Sequence, residues 1–305
     1  MRVFITGASG HVATALIPEL LSAGHHVVGL ARSDSAATAV TALGAEVRRG
    51  DLDDLDTLAS AADDADAVVH LAFKHDAMRS GDLAAAAEAD LAAVRAMTDV
   101  MHGTDKAFVG TSGTALIPMM GVTGRPGRES DRFDSGYRID AENLVVGLAD
   151  NGVRSSVIRL TPTVHSDLDH HGFVPALIGF ARHNGFAGYV GDGANRWPAV
   201  HTRDAARLYR LALESAPTGS VLHAVGEPGV AFRDIAEAIG RGLGVPAKSV
   251  AAEEATNVFD FLASFVTVDN PTSSEFTRRS LNWTPEYPGL VEDIDSGHYF
   301  RESVG

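Results

Sequence analysis

Apolar residues fall along this chain in short, dense runs separated by amphipathic stretches, and the two alternate regularly over the first 110 residues. Val3–Thr6 is compact and β-branched, as suits a strand buried on both faces. After Gly7–Ala13 the apolar positions take helical spacing at Val12, Leu16, Ile17, Leu20 and Leu21, and Gly24 marks the C-terminal end. Pro18 lies inside that helix, where it removes one backbone donor and predicts a kink. The same pattern predicts strands at Val27–Leu30, Ala45–Arg48, Ala67–Leu71 and Lys106–Gly110. Helices are expected between them at Ala36–Leu43, Asp54–Ala62 and Leu83–Met101. Such alternation predicts an α/β fold with a parallel sheet, helices on both faces and right-handed crossovers.

Residues 118–136 interrupt the rhythm, because Pro118, Gly121, Gly124, Pro126, Gly127 and Gly136 crowd a stretch with few apolar anchors. A long mobile loop facing a ligand is expected there. Helix Arg138–Asn151 and strand Ser156–Leu160 resume the pattern. Beyond residue 165 the order is irregular, with helices predicted near Val174–His183, Asp204–Glu214, Phe232–Leu243 and Asn257–Phe265.

Charge narrows the partners. The formal net charge is −15, and the longest basic runs are the pairs Arg48-Arg49 and Arg278-Arg279. Phosphate backbones and anionic lipid surfaces would be repelled, so neither nucleic acid nor membrane is an expected partner. There is no cysteine, which excludes disulfides, zinc-thiolate sites and cysteine nucleophiles. No apolar run approaches the roughly 20 residues of a membrane span. The first seven residues already read as a strand entering a turn, with no apolar leader, and the expected location is cytoplasmic.

The sharpest chemical signal is the glycine turn. Gly7 allows the chain to turn tightly after the strand, and Gly10 allows backbone to approach a diphosphate. The helix starting near His11 then presents unpaired amides and a positive dipole end, and small Ala13 permits close packing. Gly7, Ser9, Gly10, His11 and Val12 are therefore expected to line a dinucleotide. At the end of the second strand, Ala31 stands where a site without a 2′-phosphate usually has a carboxylate. Arg32 offers a forked cation and Ser33 a hydroxyl, so the expected cofactor is NADP(H); nearby Asp34 keeps NAD(H) open. Asp51 and Leu52 fit an adenine pocket, while Leu71, Ala72 and Phe73 follow the fourth strand where small residues let backbone line the cofactor. Thr111 and Thr163 complete the expected cofactor contacts.

Together these residues resemble the extended short-chain dehydrogenase/reductases, the NAD-dependent epimerase/dehydratase group. The resemblance spans nearly the whole chain. It is carried by Thr6-Gly-Ala-Ser-Gly10-His-Val-Ala13, Gly50-Asp-Leu-Asp53, His70-Leu-Ala-Phe73 and Phe108-Val-Gly-Thr-Ser-Gly113. Gly191-Asp-Gly-Ala-Asn195, Val200-His-Thr-Arg-Asp204 and Leu281-Asn-Trp-Thr-Pro285 extend it. The resemblance implies a Rossmann-type, doubly wound sheet over residues 1–165 with return segments near 190–226. It further implies a smaller C-terminal substrate-binding domain made mainly of 166–305, and often a homodimer.

The catalytic set departs from that pattern. Such enzymes use a tyrosine, a lysine four residues later, a serine or threonine, and a helical asparagine. Tyr137 is followed four positions later by Ala141. In a second register, aligned on Ala141-Glu142-Asn-Leu-Val145, Arg138 takes the lysine position and Asp134 that of tyrosine. Gly113 falls where the hydroxyl belongs, and Asp90 replaces the asparagine. From the residues present, Tyr137 is the candidate proton donor and Arg138 the positive charge beside it, although arginine cannot itself relay a proton. Ser112 or Thr114 would orient the substrate.

His165, Lys74 and Phe173 are the candidate substrate-facing residues, with Lys74-His75-Asp76 equally readable as surface loop. Trp197 and His201 read as core. His170 and His171, in an acidic loop, read as solvated rather than as metal ligands. The expected activity is NADP(H)-dependent reduction of a small carbonyl, imine or enone. The alternatives are epimerisation or dehydration on a retained cofactor, or non-catalytic NADP(H) sensing.

Overall fold

The computed structural model describes residues 1–75 and 82–301. Seven parallel strands form its main sheet. Six of them are β1 (Arg2–Thr6), β2 (His26–Ala31), β3 (Glu46–Arg49), β4 (Ala67–His70), β5 (Ala107–Gly113) and β6 (Arg154–Leu160). Three further strands, β7 (Thr163–His165), β8 (Ala187–Val190) and β9 (Arg196–His201), lie outside it, before β10 (Ser220–Ala224) returns as the seventh. The spatial order is β10-β6-β5-β4-β1-β2-β3, a doubly wound Rossmann-type arrangement. The order reverses at β1, which pairs with β2 on one side and β4 on the other. In such sheets the ligand crevice opens beyond the carboxyl ends of those strands. β11 (Glu227–Ala231) joins β9 and β7 in a three-stranded sheet, and β12 (Ala247–Val250) pairs with β8.

Alternation along each strand decides which face a side chain enters. Val3 and Ile5 face α1 (His11–Ser22), joining Leu16, Ile17 and Leu20 in one apolar layer. Phe4 faces the other way, toward Leu58, Val68, Val94, Met97 and Phe108. Burying each of these Leu and Ile side chains stabilises the fold by roughly 2 kcal/mol. The helices of the first half are α2 (Asp34–Ala42), α3 (Leu55–Asp63), α4 (Leu83–Asp99), the short α5 (Leu116–Met119) and α6 (Ile139–Gly147). After α7 (Phe173–Asn184), α8 (Thr202–Ser215) comes back beneath the main sheet, where Leu208, Tyr209 and Leu213 complete the layer begun by α1. A third apolar cluster lies among residues 174–294, around Trp197, Phe232 and Phe259.

Two expectations are corrected. Residues 118–136, predicted as a mobile loop, are tied down by partners from far along the chain. Gly127 N donates to Pro271 O at 2.8 Å, and Ser273 N donates to Gly127 O at 2.8 Å. Glu129 accepts from the amide and hydroxyl of Thr277 at 2.9 and 2.8 Å. Arg159, fully buried, donates to Glu142 at 2.9 and 2.5 Å and to the Asp131 carbonyl at 2.9 Å. The helix predicted at Asn257–Phe265 is shorter, Ala255–Phe259, because Asp260 turns the chain with φ +47°.

Candidate active site

The first part of the site is local. Gly7 adopts φ +68°, and a Cβ there would stand 2.8 Å from the Ala72 amide nitrogen, so glycine is required twice over. Gly10 N donates to Gly7 O at 2.9 Å, closing the turn. Gly10 is also the N-cap of α1, and no side chain caps that helix or places a carboxylate in its first turn. The opening amides therefore remain for an anion, and the residues present fit a dinucleotide diphosphate. Ser9 is exposed, His11 and Val12 are half-buried, and Ala13 packs inward. Across the crevice Leu71, Ala72 and Phe73 are half-buried, with Ala72 N donating to Thr6 Oγ1 at 3.2 Å.

At the end of β2, Arg32 is exposed and has no hydrogen bond or ion pair among the described residues. Ser33 caps α2, its Oγ accepting from Ala36 N at 3.2 Å. Arg49 lies opposite Ala31 in the β2–β3 register. It donates to the Ser33 carbonyl at 2.5 Å and to Asp34 Oδ1 at 2.7 Å. Asp34, which kept NAD(H) open, is thus engaged by a cation that sequence reading did not single out; the Arg48-Arg49 pair was its only trace. Asp51 is half-buried, whereas Leu52, at 8% exposure, is packed into the layer holding Val28, Leu30 and Leu58.

The second part is assembled from four elements. Tyr137 has φ +32°, rare for a bulky residue, between Gly136 and the start of α6. Its ring meets Phe73 edge-on at 6.2 Å. Arg138 lies over the Phe73 ring at 4.2 Å and donates Nη2–H to the Thr111 carbonyl at 2.8 Å. The side fork of the same guanidinium faces Asp90, with Nε 3.3 Å from Oδ2 and Nη2 3.4 Å from Oδ1. Asp90 is 1% exposed and is also bonded to His70 Nε2 at 3.1 Å. On its other side, His70 Nδ1 meets Thr6 Oγ1 at 2.7 Å. The Asp90 carboxylate can only accept, so Nε2 carries the hydrogen and Nδ1 of the neutral ring accepts from the Thr6 hydroxyl; this tautomer is assigned from the bonding pattern.

Burial pushes the Asp90 carboxyl upward, but Arg138 and His70 outweigh it and hold it below its usual range. Burial raises the Tyr137 phenol, with Arg138 opposing and Asp90 adding to the rise. Tyr137 therefore keeps its proton.

The hydroxyls of β5 and its exit divide. Thr111 Oγ1 donates to the His70 carbonyl at 2.7 Å and accepts from Tyr209 at 2.7 Å. Ser112 Oγ is buried without a hydrogen-bond partner among the described residues. Thr114 is fully buried and takes an Asn270 amide hydrogen at 3.3 Å. At Gly113 a Cβ would meet nothing nearer than Leu160 O at 3.9 Å. Tyr137 and Arg138, one from each register, both lie against Phe73, whereas Asp134 is exposed.

Several expected contacts are placed elsewhere. Thr163 is buried and donates to Pro198 O at 2.8 Å, which holds β7 to β9. His165, expected in the substrate pocket, is 1% exposed and bonded to Asp293 at 2.9 Å. The C-terminal segment that covers it is invisible to local sequence reading. Phe173 packs on Trp197 and Phe265, and Trp197 itself is core. Lys74 is paired with Asp53 at 2.6 Å. His75 stands edge-on to Phe73, and Asp76 lies outside the described residues.

A cluster missed in the sequence lies next to the glycine turn. His11 Nε2 meets Thr202 Oγ1 at 2.6 Å, and its Nδ1 is 3.8 Å from Asp169. Burial, helped by His165 and neighbouring histidines, brings His11 down to about 4. Burial lifts Asp169 to about 6, against the Gly172 amide.

The profile of the NAD dependent epimerase/dehydratase family matches residues 3–224. The chain belongs to that family. Among curated relatives, the uncharacterized protein YLL056C of Saccharomyces cerevisiae is 43% identical over 98% of this chain and 99% of its own length. The 2′-dehydrokanamycin reductase of Streptomyces kanamyceticus is 29% identical, over 81% of this chain and 68% of its own. Among solved structures, DesIV is a dTDP-glucose 4,6-dehydratase from Streptomyces venezuelae with NAD and TYD bound. It superposes with TM-score 0.78 at 18% identity, over 99% of this chain and 98% of that one, and so shares the fold of this family member. No described helix is long and apolar enough to cross a membrane.

Proposed function

We propose that this family member is an NADP(H)-dependent reductase of a small, uncharged carbonyl, imine or enone. The observation that carries the reading is the placement of the Tyr137 phenol, kept protonated chiefly by burial, beside the Arg138 guanidinium that Asp90 engages. Reduction needs a proton donor beside the atom that gains charge. An epimerase or dehydratase cycle begins with oxidation and needs a base, a task for which a raised phenol is poorly suited. The reductase relative, though distant, has the same direction of chemistry in its name.

When bound, the nicotinamide supplies hydride. The opening amides of α1 hold the diphosphate, and Arg32 meets the 2′-phosphate, with Arg49 fixing the strand end beneath it. Phe73 and Arg138 wall the crevice where the acceptor lies. Tyr137 Oη gives its proton to the oxygen or nitrogen, or to the oxygen of an enone as it becomes an enolate, and regains it from solvent because it is only half-buried.

The test is turnover of NADPH with a panel of ketones, aldehydes, imines and enones. Substrate-dependent loss of the reduced-nicotinamide absorbance, faster with NADPH than NADH, is expected. Isomerisation without net NADPH consumption, or tight binding without turnover on any compound, would reject the reading.

A further inference from the structure

Asp90 is an expensive residue in its place. It sits near the middle of α4, an alanine-rich helix, with 1% exposure. A carboxylate buried without partners costs several kcal/mol, so its position must be matched to something specific. What it matches is one edge of the Arg138 guanidinium. Arginine has five N–H donors in a rigid plane. Nε–H and one hydrogen of Nη2 face the two Asp90 oxygens, and the second Nη2 hydrogen goes to the Thr111 carbonyl. Phe73 covers a face of the plane. The two hydrogens on Nη1 have no partner among the described residues, although the side chain is only 13% exposed. Asp90 is itself fixed from behind by His70, and His70 by Thr6, the residue immediately before the glycine turn.

We propose that Asp90, braced by His70, is a positioning residue that turns the unused Nη1 edge of Arg138 toward the substrate atom on which negative charge develops. Arg138 is then a catalytic residue in the strict sense, an oxyanion-type donor beside Tyr137, and Asp90 and His70 act through it. This rests on the reductase reading. It deepens that reading by naming the acceptor that fits: a carbonyl oxygen, whose two lone pairs can take one Nη1–H of Arg138 and the Tyr137 hydroxyl at once. Lysine would not reproduce this arrangement, because its three donors radiate from one point, whereas the planar guanidinium spends three donors on Asp90 and the Thr111 carbonyl and still keeps a separate Nη1 edge.

Asp90 also opposes the charge of Arg138 where Tyr137 feels it. The charged groups acting on Tyr137 are Arg138 from its own turn and Asp90 from α4; the neighbouring element after β4 presents the Phe73 ring. Replacing the carboxylate by an amide leaves the arginine unopposed.

The experiment uses two readouts. In the absence of cofactor, the phenol of Tyr137 is titrated by ultraviolet difference against Tyr137→Phe, in wild-type and Asp90→Asn backgrounds. The expected result is a titration about one unit lower in Asp90→Asn. With NADPH and a substrate from the panel, Asp90→Asn is expected to lose about 100-fold in kcat, the effect of a displaced catalytic group, with KM for NADPH unchanged. Should Asp90→Asn fail to fold, Arg138→Ala supplies the second test. Added guanidinium should restore its turnover, and should not do so in Arg138→Ala/His70→Gln, where Asp90 has lost its brace. An unmoved titration together with unchanged kcat, or equal rescue of both variants, would overturn the inference. A wild type active on the panel with an indifferent Asp90→Asn would reject this inference alone. A wild type that turns over nothing would reject the reductase reading, and the cofactor-free titration would still decide whether Asp90 governs the Arg138 field.

Discussion

The glycine turn and the cluster around Tyr137 both border the segment after β4, at Ala72 and Phe73, but are built in opposite ways. The turn is contiguous: Thr6 to Ala13 supply the strand end, the left-handed glycine, the helix start and the small packing residue in eight consecutive positions. The cluster draws Tyr137 and Arg138 from the entry to α6, Asp90 from α4, His70 from β4 and the Thr111 carbonyl from β5. A contiguous site has its geometry dictated by backbone rules that act over a few residues. An assembled site depends on the lateral register of strands and on which helix face turns inward. The two meet at Thr6, whose hydroxyl supports the Ala72 approach to Gly7 and also begins the chain through His70 to Asp90. That shared residue predicts that disturbing one region will be felt in the other.

The largest effect should come from the assembled side. Tyr137→Phe removes only the hydroxyl, leaves the edge contact with Phe73, and keeps the same strained backbone. The loss of a general acid is expected to lower kcat by about 10²–10⁴-fold with cofactor affinity unchanged. Steady-state kinetics and a cofactor titration on the same preparation check it. A kcat within a factor of a few of wild type would transfer the proton donor elsewhere, and a parallel loss of cofactor affinity would show that the two regions are less separable than their construction suggests.

The next effect belongs to the local side. Arg32 has no partner among the described residues, so Arg32→Ala should leave folding unchanged while removing the proposed charge-assisted contact to a 2′-phosphate. Such contacts contribute about 1.5–3 kcal/mol, or roughly 10- to 100-fold in NADPH affinity, with NADH nearly unaffected. Calorimetry with both coenzymes reads this directly. Equal losses for NADPH and NADH would remove the assignment of Arg32 to the extra phosphate.

What could be read from the sequence follows the same division. Strand–helix alternation located β1 to β6 to within a few residues, and local spacing placed Gly7 and Gly10 in the turn after β1 and Arg32 just past β2. Arg49 was missed because its relevance comes from standing opposite Ala31 in the β2–β3 register, 18 residues away in sequence. Asp90 was noticed as a departure from a pattern, but its pairing with Arg138 became visible only when α4 and α6 were placed side by side. His165 was expected to face the substrate because it follows a strand at the crevice. Asp293, 128 positions further on, covers it instead, and no local rule anticipates such a contact. The loop at 118–136 looked mobile for the same reason: groups that hold it, Pro271, Ser273 and Thr277 at Gly127 and Glu129, and Arg159 at Asp131, lie far along the chain.

The smallest effect tests the cluster beside the turn, where Asp169 approaches His11. Asp169 is 3% exposed and its carboxyl is raised to about 6 from an ordinary 3.8, first by burial and against bonds from Gly172, Tyr299 and His171. A carboxyl raised on folding binds its proton more tightly in the folded chain. The stability it adds is complete below about pH 4 and is lost as pH rises through about 6. Between pH 5 and pH 7.5 that loss amounts to about 1.4 kcal/mol. Asp169→Asn keeps an acceptor for the Gly172 amide but does not titrate. His11 and His201, both brought down to about 4 by burial, act in the opposite sense, losing stability as pH falls, and both are present in the two proteins. The melting temperature of Asp169→Asn relative to wild type should therefore rise by about 2 °C between the two pH values, as thermal melts in matched buffers would show. An offset independent of pH would mean that Asp169 is ionised throughout, and that the ground beside the glycine turn carries a fixed negative charge which the diphosphate must overcome.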